Sequence, residues 1–444
     1  MHARTRRRTR STAAVGTVVL AVVLAAVGLP LAGTATAGAV DHAASCRLVE
    51  LTMPSDGVES GVMDIEVVDG TTVYYGNYQR PEADGSWSQH AVIWRGLDAE
   101  PEEVGPVDAP VNIAFELTAP GLVNGQAEYP DGTFRPWIQD ITSGEITFLH
   151  LGGSAARDAN GGRIRRINDD GATVGTLNTG KGRSKWNADV VGHDSPEAPL
   201  ERLLSPGRVG DGWGINNLGE RVGFVQHRNL PGAPHWALWL PTIWASDGSS
   251  RTAAMPGTDG AIFTIEDDGE MAGMVFVGTP ESGHFEPIQW SDPDHYETLG
   301  VLEGGGWGRP FGADGEAQVG FLDLVADPAA VPEWALDQIW VNYGYYWERG
   351  MADSVRILPT LHTDANGVTD WREFHGVGAV HAVSTLLDQA ATATHSGYAP
   401  DGSPTFAATV YLNVSVCGAE VATTHDPYHL TDLESAIART EGAG

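Results

Sequence analysis

The sequence predicts an all-β protein: a seven-bladed β-propeller built from four-stranded repeats, each about 49 residues long. Three observations carry that expectation. A turn motif closed by glycine recurs at near-constant spacing. An apolar strand, usually ending on Trp, follows each copy. The two ends of the repeat region carry complementary strand fragments, each beside one of the chain's two cysteines.

The first element is a targeting segment. Arg4, Arg6, Arg7, Arg8 and Arg10 form a positive n-region, Ala13 to Leu29 is an uncharged apolar run, and Ala35-Thr36-Ala37 supplies a small-x-small cleavage signature. Residues 1–37 are therefore expected to be a cleaved signal peptide, 38–45 a short lead, 46–417 the propeller, and 418–444 a tail that is partly helical or disordered. The arginine pairs suit twin-arginine export, but no Phe-Leu follows them, so both export routes stay open. No later stretch is apolar enough to span a membrane, which points to a secreted protein, monomeric outside the cell.

Charge then narrows the partners. Taking the five leader arginines from 26 basic residues leaves 21 against 58 acids, a balance of −37, with only Lys181 and Lys185 as lysines. Such a surface repels phosphate backbones, which argues against nucleic acid and anionic membranes. It favours solubility and tolerates cationic ligands or divalent ions.

The repeats come next. Ile167-Asn168-Asp169-Asp170-Gly171-Ala172-Thr173-Val174-Gly175 is copied as Ile215 to Gly223 and as Ile265 to Gly273. Looser copies end at Gly76, Gly125 and Gly320, and a degenerate seventh ends near Ala393. Successive markers from 76 to 320 stand 49, 50, 48, 50 and 47 residues apart. The Asp-Gly or Asn-x-Gly step supplies the positive φ of a tight hairpin between the first two strands. The second marker appears as Ala91-Val92-Ile93-Trp94, Pro136-Trp137, Ala237-Leu238-Trp239, Ile288-Gln289-Trp290, Tyr345-Tyr346-Trp347 and Thr409-Val410-Tyr411. Val190-Val191 holds its place in the third unit. A Leu-rich fourth strand follows, as in Thr147 to Leu151 or Glu297 to Leu302. One such sheet cannot bury both faces alone, so radial stacking makes it a blade and the Trp inter-blade core.

Cys46 opens the repeat region and Cys417 closes it. Cys46 to Leu51 reads as a fourth strand, whereas the C-terminal unit supplies only three, ending in Thr405 to Val416. The N-terminus is therefore expected to complete the last blade, with Cys46 and Cys417 joined in an oxidising compartment. Acylation of Cys46 as a lipoprotein is the alternative, although Ala43-Ala44-Ser45 lacks the usual large aliphatic residue.

Units of the form Ile-Asn-Asp-x-Gly-x-Val-Gly, then Ala-x-Leu-Trp, then a Leu-rich strand, resemble the HAF repeat of extracellular bacterial proteins over roughly residues 46 to 417. The resemblance implies a secreted β-propeller-like array and transfers no catalytic residue.

Function is expected on the face that carries the longer loops: Gly152 to Arg163, Gln79 to His90, Asn178 to Asp189, Gln226 to Trp236 and Val277 to Glu286. The largest insertion, Leu322 to Tyr346, contains Trp334, Trp340, Tyr343, Tyr345 and Tyr346. With Trp87, Trp186, Trp236 and Trp307, the ligand candidates are Trp87, Trp186, Trp236, Trp307, Trp334, Trp340 and Tyr343, aromatics suited to a glycan, peptide or protein partner. No Gly-x-Ser-x-Gly elbow, His-Glu-x-x-His helix or phosphate loop occurs, and no cofactor is implied. Asp364, Asn366, Asp370 and Glu373 give a turn a calcium-loop flavour, shorter than the twelve-residue loop. The leading reading is a secreted propeller that binds an extracellular ligand without chemistry of its own. A polysaccharide hydrolase or lyase with paired channel carboxylates is one alternative, and a passive cell-surface scaffold the other.

Overall fold

A computed structural model describes residues 46–424, except for 131–132, 151–161, 179–187, 196–197, 204–208, 228–237, 258, 278–283, 303–307, 316, 326–339, 352–353, 359, 364–368, 373–379 and 399–403. The signal segment, the lead and residues 425–444 of the tail lie outside the described residues.

Runs of alternating and β-branched apolar residues, broken by Gly or Asp-Gly, become antiparallel up-and-down strands. The first group is Glu59–Val68, Thr71–Pro81, Trp87–Trp94 and Glu102–Val104. Its pattern recurs in groups that open with Val111–Leu117, Gly162–Ile167, Val209–Ile215, Gly260–Ile265 and Gly308–Asp314. In a further sheet, Arg47–Glu50 pairs with Pro404–Leu412, then come Gln389–Tyr398 and Ala382–Ser384. Each opening strand packs against the group before it, and Glu59–Val68 packs against the sheet of Arg47–Glu50, Pro404–Leu412, Gln389–Tyr398 and Ala382–Ser384. This is a β-propeller arrangement, with the opening strands innermost.

The marker glycine has a steric cause. Each of six inner strands is bulged, with the pair before the bulge being Val62↔Gly76, Ala114↔Gly125, Ile164↔Gly175, Gly212↔Gly223, Ile262↔Gly273 and Pro310↔Gly320. The bulge pushes the inner strand's carbonyl towards the facing glycine. A Cβ on Gly273 would overlap the Ala261 carbonyl oxygen and lie 2.9 Å from the Ile262 Cα. In the seventh unit, which has Ala393, the described inner strand is only Ala382–Ser384, and its register stops at Ala382↔Ala391, short of Ala393.

The motif's asparagine is an inter-sheet staple. Asn168 Oδ1 accepts from Ala172 N at 2.8 Å, closing its own turn, while its Nδ2 donates 3.0 Å to the Asn216 carbonyl of the next unit. Asn216 repeats both contacts, accepting from Glu220 N at 2.9 Å and donating 3.1 Å to the Glu266 carbonyl. The spacing near 49 residues is thus a hydrogen-bonded ladder as well as a packing period.

The recurrent Trp is inter-sheet core, as expected. Trp94, Trp137, Trp290 and Trp347 are all but fully buried. Trp94 Nε1 donates 2.7 Å to the Thr52 carbonyl, on the chain leading in from the preceding sheet, and Trp290 Nε1 reaches the Ala254 carbonyl in the same way. The fourth unit departs from the expected marker. Arg221 pairs with Trp244, which fills the core position, whereas Trp239 pairs with Gln226 five residues earlier and stays half-buried. Two Trp lie in that strand, and the Ala-x-Leu-Trp pattern selects the wrong one.

Three further expectations change. The described ends of the insertion Leu322 to Tyr346 lengthen a hairpin, since Ala317–Val325 and Trp340–Glu348 pair as far as Val325↔Trp340, and 326–339 lie outside the described residues. Tyr345 and Tyr346 of that hairpin are buried core, and Tyr345 donates 3.0 Å to Gln318 Oε1. Gln79 to His90 is likewise mostly strand, because Pro81 already pairs with Trp87. The tail opens with a strand: Ala419–Thr424 pairs with Ser354–Ile357 on one side and Val301–Leu302 on the other. Its Glu-Val-Ala-Thr-Thr alternation is a strand pattern that a helical reading of the following residues obscured.

Cys46 and Cys417 are bonded to each other, with their Cα atoms 5.0 Å apart. The bond sits where Arg47–Glu50 meets the last sheet, in register Arg47↔Leu412 to Glu50↔Thr409. It rules out the acylated Cys46.

Candidate functional site

The bulges that demand glycine also set the lining of the central channel. A bulge turns two consecutive residues to one side of a strand, so Met63, Phe115, Arg165, Trp213, Phe263 and Phe311 occupy equivalent places, with Asp64, Glu116, Arg166, Gly214, Thr264 and Gly312 directly after them. His381 joins the first set, its ring centroid 5.0 Å from that of Phe311. Arg166 crosses the axis. It pairs with Glu116 at 2.9 Å and donates 3.4 Å to the Phe311 carbonyl of a non-adjacent sheet.

Two layers of unlike chemistry result. Toward the loop-rich face lies a layer of guanidinium and aromatic groups. Arg165 stacks on Trp213 at 3.6 Å from the ring centre and pairs with Asp211 at 3.1 Å. Asp211 also accepts the Thr176 hydroxyl. Arg309 lies over Trp213, Phe263 and Phe311 at 4.9, 4.5 and 4.8 Å from their centres. Among the described residues, its Nε–H and the Trp213 Nε1–H are buried and meet no hydrogen-bond acceptor. Burial, then repulsion from Arg165, pushes Arg309 down to about 10. Arg163, one step from Arg165 along the same face, is exposed, and its own value is lowered by the same two causes. Glu59 and Asp259 lie nearer the mouth, where burial raises Asp259 to about 6 while it accepts the Trp239 N–H at 2.8 Å. Phe224 stacks on the half-buried Trp239 beside this layer.

Toward the tight-turn face the channel is acidic. Asp64, Glu116 and Glu266 lie about Arg166, with Glu66 beside Asp64 and Asp314 in electrostatic range. Burial raises Asp64 to about 6 and Glu116 to about 7, with Arg166 opposing both shifts. Glu66 and Glu266 rise to about 8 through burial and then through neighbouring carboxylates, Asp64 and Asp314 respectively. Burial works against the charge on Arg166, but Glu116 and Asp64 outweigh it and hold the guanidinium protonated. The Thr264 hydroxyl, in the same layer as Arg166, is buried without a partner.

Trp87 is 53% exposed at the start of its strand. At the next residue, Ser88 Oγ lies 2.9 Å from His90 Nε2, and His90 Nδ1 lies 3.3 Å from Glu103 Oε2. That order matches a nucleophile, base and orienting acid. Yet Ser88 is 3% exposed and its hydroxyl also donates 2.6 Å to Glu82, while Tyr78 stacks on His90 and donates to Glu103. The group is a clamp across the sheet rather than an open nucleophile.

Of the sequence candidates, Trp87 stands at the start of the strand Trp87–Trp94. Trp186, Trp236, Trp307 and Trp334 lie outside the described residues, and Trp340 and Tyr343 fall in the strand Trp340–Glu348. Asp364, Asn366 and Glu373 are outside them too. Asp370 lies in a hairpin strand opposite His362, and the described residues contain no group of three or more ligands arranged for a metal. Reasoning from loops missed the channel residues Arg165, Trp213, Arg309 and Arg166. Their signal was available: Arg166, Arg165, Trp213 and Arg309 stand 9, 10, 10 and 11 residues before the marker glycine of their own unit, where the repeat is variable.

No protein-family model and no curated protein sequence matches the chain. Among solved structures, it is similar to the β-propeller domain of the Trilobed protease from Pyrococcus furiosus (11% identity, 84% of this chain, 97% of that one, TM-score 0.46). It is also similar to TolB from Acinetobacter baumannii (11% identity, 85% and 67%, TM-score 0.35) and to Pyrococcus horikoshii acylaminoacyl peptidase (11% identity, 85% and 54%, TM-score 0.44). These likenesses concern the fold alone.

Proposed function

We propose that the chain is a secreted HAF-repeat protein, a seven-bladed propeller whose ring closes through Arg47–Glu50 and the Cys46–Cys417 bond. On this reading it binds an extracellular ligand at the loop-rich mouth of its channel. One observation carries the binding reading: Arg309 Nε–H and Trp213 Nε1–H sit in the channel as buried donors without acceptors, beside rings that offer apolar faces. Leaving such donors unsatisfied costs stability, and a ligand acceptor relieves that cost. A glycan and peptide array probed with residues 38–444 tests the reading. Binding that is lost in Trp213→Ala but kept in Trp87→Ala supports it, and silence across the array refutes it.

A second reading has its own support. Glu66 and Glu266 stay protonated near neutral pH while Asp64 has a lower value, the split in acidity that a glycoside-cleaving acid and base require. Arg166 weighs against it, because its guanidinium fills the space between the carboxylates. Release of reducing ends from polysaccharides, abolished by Glu266→Gln, would establish hydrolysis.

A further inference from the structure

The channel's guanidinium layer reveals more than where a ligand sits. We infer that the ligand bears a carboxylate on a sugar ring, a uronate-type residue of an acidic glycan, bound between Arg165 and Arg309 and against Trp213. The inference rests on the binding reading above and specifies its chemistry.

The charge inventory around this layer is uneven. Three guanidiniums, Arg163, Arg165 and Arg309, lie on the inner strands Gly162–Ile167 and Gly308–Asp314, with Asp211 the carboxylate common to all three. Asp211 is committed to Arg165 and the Thr176 hydroxyl, so Arg309 is left with ring faces and no hydrogen bond through Nε. Stacking on aromatic rings satisfies the flat faces of a guanidinium and leaves its in-plane N–H fork available. That fork matches a carboxylate, bidentate and at charge-assisted strength. Arg165 and Arg309 share the Trp213 ring, so one carboxylate placed beside it would be met by both, with the indole N–H as a third donor.

A chain with a formal charge of −32 has little reason to concentrate cations unless an anion is to be held there. The flanking surfaces favour a sugar. Trp239 and Phe224 give a rigid, half-buried stack beside the layer, suited to the C–H face of a pyranose. A peptide's C-terminal carboxylate is usually captured by a nest of backbone N–H groups, whereas here the donors are side chains between rings.

The test uses the chain from residue 38, with isothermal titration against a galacturonate hexamer, the same hexamer after carboxyl reduction, a sulfated hexasaccharide that carries no carboxylate, and a hexapeptide with a free C-terminal carboxylate. The expected result is binding of the galacturonate hexamer, at least tenfold weaker binding after carboxyl reduction, and at least tenfold loss in Arg309→Met. Arg309→Lys keeps the charge without the fork and should recover only part. Trp213→Phe keeps the ring and packing and should weaken binding a few-fold, which guards against a misfolded Arg309 variant. Equal affinity for the reduced hexamer overturns the carboxylate and leaves the binding reading standing. Preferential binding of the sulfated sugar or of the peptide overturns the uronate assignment. No heat with any of the four overturns this inference, and the array decides the broader reading separately.

Discussion

Gly273→Ala should be among the most damaging small substitutions in the chain, and Gly269→Ala, four residues away, should not. The two glycines are required for different reasons. Gly269 has φ +91° in a turn, and an added Cβ meets nothing within 4 Å. Its replacement should cost the left-handed conformation alone, about 1–2 kcal/mol. Gly273 has no such φ, but its Cβ would strike the Ala261 carbonyl and approach the Ile262 Cα at 2.9 Å and the Ala261 carbonyl carbon at 3.0 Å. All three are backbone atoms of the bulged inner strand, so no rotamer change gives relief. The strand must shift, disturbing the ladder Ile262↔Gly273 and Thr264↔Ala272 and the packing of Ile262 and Trp290. Overpacking with backbone displacement puts the cost at about 3–5 kcal/mol. Urea midpoints of both variants, at matched m-values, provide the assay. If Gly269→Ala proves equal or worse, or Gly273→Ala costs under about 1 kcal/mol, the steric account of the marker glycine is wrong.

Other consequences are measurable in the same way. Asn216→Ala removes two donated and two accepted hydrogen bonds that join one turn to the next, and should cost about 2–4 kcal/mol by urea titration. The Cys46–Cys417 bond encloses 371 residues, so reducing it should lower stability by up to about 5–6 kcal/mol in the chain-entropy model, read as the shift in urea midpoint with and without dithiothreitol. Stability should fall as pH rises from about 4.5 to 8. Asp64, Glu66, Glu116 and Glu266 have folded values raised to between about 6 and 8, so the folded state holds protons that the unfolded chain has released. His381, lowered to about 4 by burial, and His90, lowered first by burial, work the other way below their ordinary value, but the raised carboxylates, Asp259 at about 6 among them, outnumber them. A thermal midpoint that rises steadily from pH 5 to 8, or a decline that Glu66→Gln with Glu266→Gln fails to flatten, would refute this.

Much of the fold could be read in the sequence because the repeat exposes its own constraints. Gly175, Gly223 and Gly273 recur because a bulge carbonyl faces each of them, and Asn168 and Asn216 recur because each closes one turn and staples the next. Trp94 and Trp290 recur because each buries its ring and donates to an incoming chain. Where two residues satisfied one pattern, as Trp239 and Trp244 did, only strand register could choose between them. The site was less legible for a related reason. Channel residues vary from unit to unit: Met63, Phe115, Arg165, Trp213, Phe263 and Phe311 hold equivalent places and mix a thioether, aromatic rings and a guanidinium. A search for loop aromatics selects exposed, variable positions and passes over these. The contact between Arg166 and the Phe311 carbonyl, 145 residues away, has no local signature at all.

The two channel layers also constrain each other. Arg166 is held protonated by Glu116 and Asp64, and its guanidinium stands between the acidic end and the aromatic layer. Without it, Asp64, Glu66, Glu116 and Glu266 would face one another across the axis with no counter-charge, a buried arrangement that either binds protons or comes apart. With it, the acidic end is part-neutralised and no cation is left over from Arg166 to serve the other layer. Arg165 is compensated by Asp211 in the same manner. Arg309 is the exception, a cation stacked on three rings with a buried N–H that no acceptor meets. Structural need explains Arg166 and Arg165, because each completes an ion pair. It does not explain Arg309, for which an apolar side chain would pack among Trp213, Phe263 and Phe311 at lower electrostatic cost. A residue that the fold would be more stable without, placed where the channel opens toward the loop-rich face, is the strongest single argument that this end of the channel is built to receive an anion.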